Sequence, residues 1–360
     1  MRSAVVVGTG LIGTSVALAL NARGVTVYLR DTDPAAARIA ESLGAGTTTA
    51  PTAAVDLAVM AVPPALIGRV LADVQTAGLA HHYTDVASVK VGPREDAVAL
   101  DCDTAHYIAG HPMAGGERNG PLAARADMFE GRAWILTPTS DTDRETLNMA
   151  LELVAMCGAT PVVMGATEHD RAVGLVSHTP HIVAALVAMR FEQAEERAVS
   201  LAGPGIKDLS RIAGGDPELW VDILGANAVV VADILEDIGV NLEDVVTGLR
   251  AMAATDEAKR DEGRRGIGTL LRRGKAGRER IAGKHGSGPG SYRTLGVLIG
   301  DQPGQLARLF TDASRSGVNI EDVHLEHATD QLAGLVQLSV AQTSVPVLEE
   351  ALRAQGWHTQ

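Results

Sequence analysis

The 360-residue chain is poor in several things, and each shortage excludes something. It has two cysteines, Cys102 and Cys157, too few for a disulfide framework and without metal-ligand spacing, so both are expected as small core residues. Aromatic residues make up 3%, which argues against the stacking platforms of single-strand nucleic-acid binders. Basic residues are outnumbered, 31 Lys and Arg against 44 Asp and Glu. The net charge of −13 has the wrong sign for a partner made of phosphates, and no nucleic-acid partner is expected. The longest apolar runs are cut by Pro63 and Pro64 or by Asp233, short of the ~18 residues of a membrane span, so no membrane association is expected. Met1-Arg2-Ser3 runs straight into Ala4–Val7, which leaves no room for a signal peptide, and a cytoplasmic address is expected. What is present, 46% hydrophobic and 21% charged residues, is the balance of a folded protein large enough for two or three domains.

Apolar runs at Ala4–Val7, Val25–Leu29 and Leu57–Val62 are bounded by glycine or proline, as in strands buried on both faces of a parallel sheet. Helix-like stretches lie between them: Gly13–Ala22, then Pro34–Leu43 with Asp33 as its cap. Strands at Tyr83–Val86 and Trp134–Thr137 continue the alternation, which predicts an α/β Rossmann domain over residues 1–166. Residues 167–282 then read as an all-α domain with wide apolar faces, as in Val221, Leu224, Ala228, Val231, Leu235 and Ile238; such faces suggest a homodimer. Lys259 to Arg280 holds nine basic residues and is read as a solvated helix end. A Gly/Ser/Pro-rich linker at 283–293 leads to a small α+β domain at 294–360. Its strands are expected at Thr294–Ile299, Ile320–Glu326 and Ala333–Val340, its helices at Gln305–Ser316 and Val345–Ala354, and a short last strand near Trp357.

Gly8-Thr9-Gly10-Leu11-Ile12-Gly13 follows the first strand and opens the first helix, the context in which this glycine spacing cradles a dinucleotide pyrophosphate. Asp31, at the end of the second strand, is placed to accept from ribose hydroxyls and to repel a 2′-phosphate. NAD is therefore expected over NADP, with Arg30 the one residue that blurs the choice.

Two segments carry residues suited to chemistry. Gly110-His111-Pro112-Met113-Ala114-Gly115-Gly116-Glu117 places a histidine in a loop after an expected strand Tyr107–Ala109, where an imidazole serves proton transfer. Asp85-Val86-Ala87-Ser88-Val89-Lys90 ends another strand, and ligands gather at strand carboxyl ends in such sheets. His178 and His181 share a helix face and with His169 raise the thought of a metal, but nothing else completes a ligand set, and none is expected.

Together with Ser177-His178-Thr179-Pro180-His181 and Lys207-Asp208-Leu209-Ser210-Arg211-Ile212-Ala213, these segments resemble the prephenate dehydrogenase family, which makes 4-hydroxyphenylpyruvate for tyrosine synthesis. The resemblance implies that His111 is the catalytic histidine and that Ser88 orients it. It implies that Arg211 grips a substrate carboxylate, within one subunit or across a dimer, and that His178 and Glu117 line the substrate pocket. Asp208 and Trp220 match the surrounding wall. The βαββαβ pattern after the linker looks like an ACT domain, with an aromatic amino acid as the implied effector. Arogenate and 4-amino-4-deoxyprephenate stay open as substrates. So do two other readings, a β-hydroxyacid dehydrogenase using Lys207 and a non-enzymatic NAD and amino-acid sensor.

Overall fold

Short runs, most of them apolar, become the strands of one seven-stranded sheet, with Val55–Met60 buried almost throughout. In this computed structural model the described residues are 1–116, 118–281, 292–300, 302–327 and 333–359. The elements run β1 (Ser3–Val7), α1 (Leu11–Asn21), β2 (Thr26–Arg30), α2 (Pro34–Ser42), β3 (Val55–Met60), α3 (Ile67–Thr76), β4 (Ala80–Asp85), α4 (Val91–Ala99), β5 (Tyr107–Pro112), β6 (Ala133–Thr137), α5 (Arg144–Met156) and β7 (Thr160–Val163). The strand order is β2-β1-β3-β4-β5-β6-β7, parallel except where β5 meets β6. One face of the sheet packs Val6, Leu57, Val59, Trp134 and Leu136 under α1 and α5; the other packs Val5, Ala58 and Met60 under α3. Order reverses at β1, between β2 and β3, so a crevice opens at the strand carboxyl ends where the glycine turn lies.

The antiparallel pair moves one expected feature. His111 does not sit in a loop after the strand but within β5, opposite Ile135 of β6. The partner strand extends the ladder three residues beyond the expected end at Ala109, and so the imidazole gains a rigid backbone.

Helices follow along the chain: α6 (Ala166–Val173), a π-helical turn over Gly174–His178, α7 (Thr179–Ala188), α8 (Glu196–Val199), α9 (Pro204–Ile212), α10 (Pro217–Ala226), α11 (Ala228–Met252) and α12 (Glu257–Glu279). The run Ala166–Phe191 corrects the expectation that nothing apolar reaches membrane length, because by length and composition it is long enough to cross one. Its polar residues argue otherwise: His169, Asp170, His178 and His181 are buried, and Asp170 bonds the backbone of the sheet layer at Lys90. Many apolar side chains of the helices face outward, among them Leu186, Met189, Leu219, Val221 and Val229. Cys157 is buried as expected, whereas Cys102 is only partly so.

By compactness the chain divides into Met1–Val240 and Asn241–Gln360. Besides α12, the second unit holds β8 (Tyr292–Gly300), α13 (Gln305–Arg315), β9 (Ile320–His327), β10 (Ala333–Ala341), α14 (Val345–Ala354) and β11 (His358–Thr359), with antiparallel sheet order β11-β8-β10-β9. Leu295, Val297, Leu309, Val336, Leu338 and Leu352 form its core. Gly304 precedes α13 with φ of +88°, a left-handed conformation that only glycine adopts without strain. Most of the expected linker, residues 283–291, lies outside the described residues.

Candidate active site

The glycine turn is shaped by what its residues lack. A Cβ on Gly13 would stand 1.9 Å from the carbonyl oxygen of Gly8, and one on Gly8 would stand 2.2 Å from that of Ala61. Gly10 differs, since a Cβ there meets nothing within 4 Å: its backbone borders open space. Gly10, Leu11, Ile12 and Gly13 form one wall of a cavity of about 840 Å³, and the free amides at the start of α1 lie beside it. Asp31 just after β2 accepts from Thr9 N at 2.6 Å, from Thr9 Oγ1 at 2.8 Å and from Asp33 N at 2.9 Å. These bonds fix a carboxylate with acceptor capacity to spare for ribose hydroxyls. The open approach at Gly10, the helix start and the anchored acid together fit a dinucleotide.

The opposite walls of the cavity carry Ser88, His111, His178 and Trp220. Ser88 lies in a loop held at both ends: Asp85 Oδ1 accepts from Ala87 N at 2.8 Å and pairs with the ammonium of Lys90. Lys90 is fully buried, and its Nζ also donates to Gly110 O at 2.5 Å, tying this loop to the residue before His111. Tyr107 donates its hydroxyl to the other oxygen of Asp85 at 2.6 Å. Burial pulls the Lys90 ammonium below its ordinary pKa, while Asp85 resists that. Neither Lys90 nor Tyr107 stands out in the sequence as a functional residue.

His111 opens onto the cavity on one side and is otherwise enclosed. Burial, and then the nearby charge of Lys90, drive its pKa well below that of a free histidine, so the ring is neutral and able to take a proton at physiological pH. Its Nδ1 lies 2.8 Å from Nε2 of His169, and Nδ1 of His169 lies 2.7 Å from Asp170 Oδ1. His178 is pushed down to about 4, chiefly by burial, and its Nδ1 lies 3.1 Å from the side-chain amide of Asn227. The ring partner of His111 is thus His169, a residue weighed from sequence only as a metal ligand. Among the described residues no three His, Cys, Asp or Glu side chains are placed to hold a metal ion.

Arg211 is exposed and borders an adjoining cavity of about 890 Å³, together with Arg118, Arg125, Arg132 and His181. Leu11, Gly116, Ser177 and Trp220 belong to both walls, so the cationic hollow is continuous with the one that holds His111. Trp220 stacks on His181 with centroids 3.6 Å apart. Asn119 donates to Asp216 at 3.1 Å, joining the loop after β5 to the start of α10. Glu117, the remaining expected substrate contact, lies outside the described residues. Lys207 is exposed on α9 and borders neither cavity, which leaves the β-hydroxyacid dehydrogenase reading without its acid/base.

Two family profiles match this arrangement: prephenate dehydrogenase, nucleotide-binding domain, over residues 16–163, and prephenate dehydrogenase, dimerization domain, over residues 165–259. The chain belongs to the prephenate dehydrogenase family. A curated relative from Streptomyces niveus, named probable prephenate dehydrogenase NovF, is 41% identical over 359 residues, 99% of either chain. Among solved structures, the prephenate dehydrogenase of A. aeolicus, in complex with hydroxyphenyl propionate and NAD+, is 27% identical with a TM-score of 0.66. The match covers 78% of this chain and 99% of that one. Synechocystis arogenate dehydrogenase is similar too, at 26% identity and TM-score 0.63, covering 78% and 100%. Within the prephenate dehydrogenase family the histidine, the glycine turn and the helices acquire a common purpose.

Proposed function

We infer that this chain is an NAD-dependent prephenate dehydrogenase, which converts prephenate to 4-hydroxyphenylpyruvate in tyrosine biosynthesis. The observation that carries the reading is a neutral, enclosed His111 on the same cavity as the glycine turn. When bound, the nicotinamide takes up the two electrons and hydrogen that leave C4 of the substrate as hydride. His111 accepts the proton of the 4-hydroxyl at its cavity-facing nitrogen as that carbon becomes a carbonyl carbon. The bond from C1 to its carboxylate then breaks, carbon dioxide leaves, and the electron pair completes the aromatic ring. His111 returns its proton to the phenolate oxygen, so the residue ends as it began. Ser88, on the loop anchored by the Asp85–Lys90 pair and lining the same cavity, is assigned to steady the same hydroxyl. Arg211 and the other guanidinium groups of the adjoining hollow suit the two carboxylates of prephenate, which an arginine fork binds through paired charge-assisted hydrogen bonds. His178 and Glu117 are assigned to the remaining substrate wall.

The outward apolar side chains of the helices, and a family profile named for dimerisation, support a homodimer. The division into 1–166, 167–282, 283–293 and 294–360 is kept as the functional one. The last part is proposed to be an ACT-like regulatory module, a reading supported by its βαββαβ order and by the glycine at the start of α13. An aromatic amino acid is the proposed effector.

The substrate assignment is tested by offering prephenate, arogenate and 4-amino-4-deoxyprephenate separately and following reduced nicotinamide, with NAD and with NADP. Turnover with prephenate and NAD is expected; preference for another substrate redirects the assignment within the family, and inactivity with all three removes it. Titration with tyrosine, phenylalanine and tryptophan tests the module. No binding, together with unchanged kinetics after deletion of residues 291–360, would end the regulatory proposal.

A further inference from the structure

Asp170 sits where two branches of a buried polar network meet. Its oxygens accept the backbone N–H of Lys90 at 2.8 Å and of Val91 at 2.9 Å, the amides that open α4. A carboxylate so placed satisfies donors that the helix itself leaves free, and both of its oxygens already serve as acceptors. An ionised carboxylate can only accept, so the 2.7 Å contact between Asp170 Oδ1 and His169 requires the proton on His169 Nδ1. With both imidazoles neutral, the proton on His169 Nδ1 leaves its Nε2 a lone pair. His111 Nδ1, 2.8 Å away, must then be the donor. The nitrogen that His111 keeps for the cavity is a bare Nε2.

The second branch starts from the main chain of the same residue. Asp170 O accepts from Asn227 Nδ2 at 2.8 Å, and because a carbonyl cannot donate, that side of the Asn227 amide is its NH2 group. The same NH2 lies 3.1 Å from His178 Nδ1, which must therefore be the acceptor, leaving the His178 proton on Nε2. The displacement of His178 to about 4 agrees with a neutral ring.

We propose that Asp170, His169 and Asn227 are positioning residues that lock two cavity histidines in opposite tautomers, His111 as a bare base and His178 as a hydrogen-bond donor, with His169 sharing the proton that His111 gains. The proton of the substrate hydroxyl enters at His111 Nε2, and the hydrogen on His111 Nδ1 shifts toward His169 Nε2. The positive charge spreads over two rings toward the Asp170 carboxylate, and reverse transfer restores the resting state. The hydroxyl as proton source rests on the function inferred above; the tautomers do not.

Protein labelled with 15N-histidine reports the tautomers directly through long-range 15N–1H correlations at neutral pH. Nδ1–H is expected for His111 and His169 and Nε2–H for His178. An Nε2–H form of His111, or a doubly protonated His169, overturns the proposal. Kinetics supply the second arm. His169→Gln keeps an acceptor for His111 Nδ1–H but cannot carry a proton. It should preserve the His111 tautomer, KM and NAD affinity while lowering kcat about 10- to 100-fold. His169→Ala should lower kcat further and admit the other His111 tautomer, so that Gln rescues the spectrum relative to Ala. A kcat for His169→Ala within about twofold of the parent contradicts the shared proton. If neither variant folds, the spectrum of the parent protein alone decides. If the parent fails to turn over prephenate, the inferred function falls while the spectrum still judges the lock.

Discussion

The glycine turn at residues 8–13 and the imidazole cluster around Asp170 border one cavity but are built on opposite principles. The turn works by omission: a single added carbon on Gly13 would collide with the backbone of Gly8. The cluster works by completion, since its buried polar atoms depend on partners supplied from β4, β5 and α6, from Lys90 just ahead of α4 and from Asn227 between α10 and α11. One region is therefore vulnerable to an atom gained, the other to an atom lost. The difference also decides how each is legible, because an omission is a local spacing and a completed network is not.

The sharpest way to expose the cluster's dependence is Asp85→Asn. It strips the buried Lys90 ammonium of its counter-charge and loosens the loop that carries Ser88. Breaking a buried pair in this way costs about 3–5 kcal/mol, and urea unfolding should register a loss of that order. A change below about 1 kcal/mol would mean that the pair is solvated or replaceable. Gly13→Ala comes next, with an overpacking penalty of about 1–3 kcal/mol and loss of NAD binding in calorimetric titration. Its counterpart Gly10→Ala should leave the melting temperature nearly unchanged while weakening NAD, because the new methyl meets nothing but the cofactor's approach. Equal destabilisation by both would erase the distinction between packing glycine and ligand glycine. The smallest effect concerns pH. His178 has a folded pKa of about 4, below its unfolded value, so the native state binds fewer protons than the unfolded chain there. Its contribution is fully present above the unfolded pKa of about 6.5 and declines as pH falls toward 4. His178→Gln should flatten the denaturation midpoint across that window; an unchanged slope would place the sensitivity elsewhere.

The same contrast separates what the sequence makes readable from what it does not. Gly8, Gly10, Gly13 and Asp31 stand at fixed short spacings that steric and hydrogen-bonding rules interpret without a fold. The small C-terminal sheet was readable for a similar reason, with α14 at Val345–Ala354 and strand ends within a few residues. The extension of β5 through His111 was not, because it depends on antiparallel pairing with a strand twenty-odd residues on. His169 and Asp170 appear as an unremarkable pair in a polar helix start. Their meaning comes from Lys90 and Val91, which are 80 and 79 positions away in sequence from Asp170. The same holds for Asn227, which touches both Asp170 and His178. One sign was available: an acidic residue beside a histidine, about two turns before a second conspicuous histidine, on a helix otherwise apolar enough to be unlike a solvated one.

His111 itself carries the account, and its pH dependence is part of the test. A base depressed by burial should keep kcat/KM on its plateau below the pKa of a free histidine, with activity rising with pH through a midpoint under about 6.5. The most direct measurement pairs two readouts on His111→Asn, NAD affinity by titration and turnover of prephenate by absorbance of the reduced nicotinamide. Unchanged affinity is expected, with turnover lowered about 10²- to 10⁴-fold and the acid limb abolished. Turnover within a few-fold of the parent, with that limb intact, would contradict the assignment of His111 as the base.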